Sequence, residues 1–302
     1  MNDNSIDILR LDEDTFDNGI PAKLVWVEKE ECPPPIHWHK NIEINFLLDG
    51  QWFINIDGHK QYVEGKKVLL INSRSVHWVK CLDFEKRNNL VIVFNYDFLK
   101  QYLPDLEDYY FTLPEDFSEK APLYTYLLEL CELCKTLYCD GEKNAQIRIK
   151  EDIEGIKVKS ILYNIAYEMI QKCSIRKKKR ERRKGFKYQE RINTACEYLE
   201  KYYKNDIKLE DLAKELNITR EHCARQFKEV TGVTVFEYLS DVRLMHAYRL
   251  LTHTRKNIAD IAMEVGFSDF RAFRTYFMRV YQITPSEYRE KMEREEKNVL
   301  SG

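Results

Sequence analysis

Four side chains near the start of the chain have the types and spacing of a metal or polar-ligand site: His37, His39, Glu43 and His77. In an extended strand residues 37, 39 and 43 lie on one face, so two imidazoles and a carboxylate converge, and a later strand contributes His77. Three imidazoles and one carboxylate suit Zn, Fe, Mn or Ni. The same set also suits a small-ligand pocket without a metal, or a hydrogen-bonded polar core. These three interpretations remain open.

The elements that must position this cluster are short strands. Between residues 20 and 98, segments rich in Val, Ile, Phe and Trp are separated by Gly and Asn. Several short strands at even spacing predict an antiparallel barrel or jelly roll.

The spacing of the cluster resembles the cupin motif. The matching residues are His37, His39, Glu43, Gly50, Gly65 and His77. The second half of the motif is partial, because Asn72 and Ser73 stand where the cupin family often has Pro. The resemblance implies a cupin-like antiparallel β-barrel over residues 1–115, with the three imidazoles and the carboxylate lining its ligand site.

A second chemical pattern lies in the segment Ile258–Arg289. Apolar residues recur at helical spacing, Gly266 can leave the helix with a positive φ, and Ser268 can cap a second, basic and amphipathic helix. An anchor helix, a tight turn and a basic helix form the helix-turn-helix pattern, whose second helix enters a DNA major groove.

The same unit occurs twice. Three matched pairs carry the repeat: Leu212 with Ile261 at an offset of 49, and Phe227 with Phe277 and Tyr238 with Tyr288 at an offset of 50. The second copy therefore has one extra residue in its turn. A connecting helix of about 17 residues spans roughly 25 Å, which can set two reading helices about one DNA turn apart, near 34 Å.

The C-terminal part, roughly residues 186–290, resembles the AraC-type family of bacterial transcription regulators. The matching residues are Ile258, Ile261, Ala262, Gly266, Phe267, Phe273, Phe277, Thr284, Pro285, Tyr288 and Arg289. The chain departs from the family pattern at Gln282, Met278 and Thr275.

The resemblance implies which side chains meet DNA. By position in the family's reading helices, the groove-facing residues are Glu221, Ala224, Arg225, Phe270, Arg271, Arg274 and Thr275. Arg can bond guanine as a fork, and Glu can accept from cytosine. The residues assigned to phosphates are Arg220, Lys228 and Arg279.

Charge divides the chain. Residues 176–302 carry 28 Lys and Arg against 20 Asp and Glu, a net charge of +8, whereas the remainder carries 20 against 30. The basic end suits a polyanion.

Two helical stretches predict a linker and dimerisation region over residues 116–175, although their apolar stripe can also pack on the barrel. Eight basic residues within the nine positions 176–184 predict an exposed basic linker over residues 176–187, before a DNA-binding domain over residues 188–302.

The predicted fold class is therefore α+β multidomain: a cupin-like barrel, a helical region, and an all-α domain with two helix-turn-helix units. We interpret the chain as a ligand-responsive, sequence-specific transcription regulator and not an enzyme. The expected partners are promoter DNA, a small effector such as a sugar, a second copy of the chain, and RNA polymerase for an activator. No cofactor is expected unless a metal occupies the cupin cluster.

The alternative is a metal-dependent cupin enzyme fused to a DNA-binding domain. The first residues are acidic and do not resemble a signal peptide, and the sequence contains no run of 18 apolar residues. We therefore expect a cytoplasmic protein without membrane contact.

Overall fold

A computed structural model describes residues 16, 20–28, 36–82, 88–137, 144–147, 149, 152–177, 179–290, 292 and 294. The described residues form two compact units, one within residues 1–33 and 38–189 and the other within residues 34–37 and 190–302. Within the described ranges, no helix combines the length and the apolar composition needed to cross a membrane.

The first unit is built on antiparallel strands. Its described strands are β1 (Ala22–Glu28), β2 (Ile42–Asp49), β3 (Gln51–Ile56), β4 (His59–Glu64), β5 (Lys67–Ile71), β6 (His77–Cys81), β7 (Asn88–Phe94), β8 (Tyr109–Phe111), β9 (Asn144–Ile147) and β10 (Ser174–Arg176). Five form a sheet in the order β5-β2-β7-β1-β9, three form a sheet in the order β4-β3-β6, and β10 pairs with β8.

The two larger sheets pack on each other through apolar side chains. Leu47 and Leu69 of the five-stranded sheet share one buried cluster with Trp52, Ile54 and Val79 of the three-stranded sheet. The sequence predicted an antiparallel barrel or jelly roll; the described residues contain no hydrogen-bonded ladder joining these sheets, so the strands form two packed sheets rather than a barrel. The physical reason is that the chain changes sheet between β4 and β5, at Gly65, which has a φ of +71° and donates its N–H to the Gly50 carbonyl at 3.0 Å.

Helices cover the other face of the five-stranded sheet. These are α2 (Pro122–Leu137) and α3 (Ile153–Glu168), which follow the short α1 (Tyr96–Tyr102) and precede a π-helical turn at Met169–Cys173. Leu127 of α2 and Ile165 of α3 join Ile44 and Phe46 of β2 in one apolar core. The region predicted as a helical linker, residues 116–175, therefore shares its core with the sheet.

The segment predicted as an exposed basic linker, residues 176–187, is largely helical. Helix α4 (Lys179–Tyr202) begins within it. Lys, Arg and Glu are good helix formers, so a run of charges is compatible with helix when the chain exposes it. The side chains of residues 179–189 lie outside the described part of the structure.

The second unit continues with helices α5 (Leu209–Glu215), α6 (Arg220–Thr231), α7 (Val235–His253), α8 (Ile258–Glu264) and α9 (Phe270–Tyr281), and residues 285–290 are also helical. Four residues separate α5 from α6 and five separate α8 from α9, which matches the one-residue difference in the sequence repeat.

Corresponding local structures recur in the two helix pairs. The turns contain Asn217 and Gly266 with positive φ, and the second helices end at Gly232 and Gln282, also with positive φ. Asp269, rather than the predicted Ser268, caps α9, because its carboxylate accepts from the Ala272 N–H at 2.7 Å. Helix α7 begins with a capping box in which Thr234 and Glu237 bond each other's backbone N–H. Thr284 and Glu287 repeat this arrangement.

Candidate nucleic-acid interface and buried histidine cluster

Helix α6 exposes the side chains that the sequence assigned to DNA. Arg220, Glu221, Arg225 and Lys228 are exposed and Ala224 is partly buried, whereas Phe227 is fully buried. The Arg220 guanidinium lies 2.9 Å from Glu210 and 3.4 Å from Glu221. Its hydrogen bond lowers the pKa of Glu210 below the ordinary value. The charge of Arg220 is therefore partly neutralised within the protein. A phosphate contact by Arg220 would have to compete with these two carboxylates.

Helix α9 is the more strongly basic of the two. It exposes all five assigned side chains, Phe270, Arg271, Arg274, Thr275 and Arg279, and it contains no Asp or Glu. Its opposite face buries Phe273 and Phe277 completely. Helix α6, by contrast, contains two Glu beside its three Lys and Arg. The attraction for a polyanion is therefore unequally divided, with the larger share on α9.

The structure also brings together the four residues predicted as a cluster in the N-terminal part. One potential ligand atom from each of His37, His39, Glu43 and His77 lies within 4.8 Å of the others. Glu43, His39 and His77 are each no more than 3% exposed. The route differs from the prediction, because β2 begins at Ile42, so that neither His37 nor His39 shares a strand with Glu43.

Hydrogen bonds fix the tautomers of two imidazoles. The Nδ1–H of His39 donates to the Asn41 carbonyl at 3.0 Å, and the Nδ1–H of His77 donates to the Ser75 carbonyl at 2.9 Å. A carbonyl cannot donate, so Nδ1 carries a proton in both rings, and Nε2 carries either a lone pair or a second proton. These Nε2 atoms lie 3.1 Å and 3.6 Å from one oxygen, Oε2 of Glu43. Bare lone pairs on both Nε2 atoms would repel this oxygen, so the arrangement requires a proton on Nε2 or a cation among the three groups.

Protons or a metal cation can supply that charge. Burial alone would raise the pKa of Glu43, but hydrogen bonds with His39 and His77 outweigh burial and hold this pKa far below its usual range. Burial would likewise lower the pKa of His77, yet its contact with Glu43 raises it. Metal-ligating imidazoles characteristically donate their other N–H to a carbonyl. The donor set and the tautomers therefore fit a divalent cation.

Sequence reasoning missed two polar residues that support Glu43. Asn45 lies on the same face of β2 and donates to Oε1 of Glu43 at 3.4 Å, and Asn89 of β7 donates to Asn45 at 3.0 Å. Asn45 and Asn89 are at most 5% exposed. The signal for Asn45 was the two-residue period from Glu43, whereas Asn89 is set beside it only by the β2–β7 pairing.

Comparison with known proteins concerns the C-terminal part most directly. A family model described as a helix-turn-helix domain matches residues 212–291. Over 100 residues the chain is 40% identical to the lactose operon transcription activator of Staphylococcus xylosus, covering 33% of this chain and 36% of that protein. The chain thus spans little more than a third of the length of this relative.

One further relative and one solved structure are similar to most of the chain. The HTH-type transcriptional regulator YdeC of Bacillus subtilis (strain 168) is 24% identical over 265 residues, covering 84% of this chain and 86% of that protein. The structure of ToxT from Vibrio cholerae is 17% identical and covers 89% of this chain and 97% of that chain, with a TM-score of 0.48. From the family match and the exposed helices α6 and α9, residues 212–291 form a DNA-binding helix-turn-helix domain of the AraC type.

Proposed function

We propose that this protein is a sequence-specific transcription regulator that reads promoter DNA with α6 and α9 and senses a small effector with its N-terminal unit. The observation that supports DNA reading most directly is the exposed, arginine-rich face of α9, on the side of the helix opposite the buried Phe273 and Phe277. The proposed direction is activation, through contact with RNA polymerase, and the proposed effector class includes sugars.

Two helix-turn-helix units in one chain would read successive major grooves. The repeated turns, caps and helix ends of α5–α6 and α8–α9 support this proposal. The connecting helix α7 has 19 residues and is therefore roughly 28 Å long. A spacing of this order is compatible with two half-sites about one turn, near 34 Å, apart.

The test begins with selection of duplexes from a random-sequence library by the full-length protein. We expect the selected duplex to show two protected segments about one helical turn apart. Arg274→Ala on α9 should weaken binding at least about fivefold, because a specific arginine contact to a base is worth about 1–3 kcal/mol. Arg255→Ala, at an exposed arginine outside α6 and α9, is the matched control. Failure to enrich any sequence, or equal effects of the two variants, would contradict the proposal.

We infer further that His37, His39, Glu43 and His77 hold a divalent cation. The inference rests on the inward-facing Nε2 atoms of His39 and His77, which could bind a cation together with the Glu43 carboxylate. Such an ion would supply fixed positive charge to an effector that enters beside it.

Equilibrium dialysis of the purified protein against Zn²⁺, Mn²⁺ and Ni²⁺ tests this inference. We expect one ion per chain and its loss in His77→Ala, whereas His59→Ala, at an exposed histidine, should retain it. Equal retention in both variants would contradict the metal site. Promoter affinity measured with and without the ion distinguishes a sensor from the alternative, a cupin enzyme. In a sensor the ion or effector binds the two conformational states of the protein with different affinities, so its presence changes promoter affinity.

The proposed homodimer would use the outer face of α3. Ile153, Ile156, Tyr163 and Tyr167 follow helical spacing and are 81%, 67%, 43% and 61% exposed. A second copy that packs the same stripe in an isologous contact would bury it. Ile156→Glu should lower the mass in sedimentation equilibrium to that of one chain. Tyr62→Glu, at an exposed residue of β4, should not, and a monomeric wild type would contradict this interface.

A further inference from the structure

We propose that Tyr276 is a positioning residue for DNA reading: its hydroxyl fastens α9 to α7, and its ring orders Arg279 for a phosphate. The inference rests on the proposed function of α9 as a reading helix. It concerns a side chain to which neither the sequence pattern nor the family match assigns a role.

The hydroxyl of Tyr276 reaches two oxygens of α7. It lies 2.7 Å from Oδ1 of Asp241 and 3.0 Å from the carbonyl of Glu237. These two α7 residues are four apart, which is about one helical turn or ~6 Å along the axis. Rotation of α9, or sliding of α9 along α7, would break both contacts. A single side chain thus opposes both motions.

This contact lies where it can affect the separation of the reading helices. Helix α7 begins at Val235, soon after α6 ends at Thr231, and Glu237 belongs to the capping box of that first turn. A bond from α9 to the first turns of α7 therefore connects the second reading helix to the end of the first. The apolar contacts of α9 do not supply the same restraint, because dispersion contacts lack direction whereas hydrogen bonds require alignment.

The aromatic ring of Tyr276 has a separate partner. The guanidinium of Arg279, one turn further along α9, lies 4.3 Å from the ring centroid, within the range of a cation–π interaction. Arg279 is exposed, and it is one of the three residues that the sequence analysis assigned to phosphates. Stacking would limit the rotamers of a long side chain before DNA arrives, which reduces the entropy lost on binding.

The two roles of Tyr276 can be separated by substitution. Tyr276→Phe removes the hydroxyl but keeps the ring, and the buried side chains Phe273 and Phe277 remain to hold α9 in the fold. Asp241→Ala removes the acceptor from the other side, whereas Asp241→Asn keeps an oxygen that can accept from Tyr276. Tyr202→Phe, at an exposed ring of the same unit, is the matched control.

The probes are the duplex selected by the wild-type full-length protein and its half that carries the α9 site alone. We expect Tyr276→Phe and Asp241→Ala each to weaken binding to the whole duplex about three- to tenfold at pH 7.5. Neither should weaken binding to the half duplex by more than about twofold. Their combination should be no weaker than the stronger single variant, and Asp241→Asn should bind like the wild type.

Three results would overturn the inference. The first is unchanged binding of Tyr276→Phe to the whole duplex. The second is an equal loss on the whole and the half duplex, which would indicate a role only in folding of α9. The third is a fully additive double variant, since independent effects exclude a shared contact. If the wild type selects no duplex, the proposed function itself fails, and the inference fails with it.

Discussion

Gly266 offers a sharp test of how the second helix pair is packed. Its φ is +93°, and a Cβ built at this position would lie 2.7 Å from the Tyr203 carbonyl oxygen and 2.9 Å from both Cα and the carbonyl oxygen of Lys204. All three are backbone atoms just after the end of α4, which cannot rotate away as a side chain can. Gly266→Ala therefore combines an unfavourable dihedral angle with steric overlap.

The magnitude follows from these two contributions. A non-glycine residue in the left-handed region costs about 1–2 kcal/mol, and overpacking adds about 1–3 kcal/mol. We expect the free energy of unfolding of the second unit to fall by about 2–5 kcal/mol. Gly65→Ala is the control for the first contribution alone, because Gly65 has a φ of +71° and a Cβ added there would meet nothing within 4 Å. It should cost only about 1–2 kcal/mol.

The two variants can be followed by separate probes in urea unfolding. The four tryptophans, Trp26, Trp38, Trp52 and Trp78, all belong to the first unit, so their fluorescence reports the unit that contains Gly65. Circular dichroism at 222 nm responds in addition to the helices of the second unit. The quantity compared is the loss in free energy of unfolding, measured by circular dichroism for Gly266→Ala and by fluorescence for Gly65→Ala. If the loss for Gly266→Ala is no larger than that for Gly65→Ala, the close approach to Tyr203 and Lys204 is refuted.

Two further predictions concern charge. Burial, with the nearby charge of Glu237, raises the pKa of Asp241 to about 6 despite its hydrogen bond with Tyr276 and the opposing charge of Arg279. The folded state therefore holds this proton more tightly than the unfolded state. Protonated Asp241 stabilises the fold at low pH, and the free energy of unfolding falls by up to about 3 kcal/mol as pH rises from about 4 through 6. Urea unfolding should show this loss in the wild type and not in Asp241→Asn, and parallel pH profiles would contradict it. Separately, Arg220→Ala should weaken binding to the selected duplex less than Arg271→Ala, because Arg220 is already paired; titrations at several salt concentrations check this, and a steeper loss for Arg220→Ala would oppose it.

The helices of the second unit were predictable because their signals are local. The apolar spacing of Phe273 and Phe277 and the turn at Gly266 are properties of a few neighbouring residues. Even the extra residue in the second turn was visible as a change of offset from 49 to 50. The N-cap of α9 shows the limit of such local prediction: the sequence indicated Ser268, whereas the structure uses Asp269. Both adjacent residues can accept a hydrogen bond from the first turn, and the geometry selects one of them.

The N-terminal unit was predictable in content but not in arrangement. The four residues of the cluster do meet, yet only Glu43 lies on β2, and the imidazoles of His39 and His77 are held by carbonyl contacts that no periodicity describes. The strands were expected to form a barrel or a jelly roll, and the described ones form two packed sheets because the chain changes sheet at a glycine corner.

The sequence by itself determined the helix pairs, their repetition, the basic face of α9 and the residue types of the cluster. Only tertiary structure decided that α2 and α3 pack on the sheet, that Asn89 supports Asn45, and that Tyr276 meets Asp241. The reason is physical. Caps, turns and amphipathic faces depend on residues within a turn or two of one another, whereas contacts such as Tyr276 with Asp241, 35 residues apart, depend on which faces pack together, and that choice depends on the whole chain.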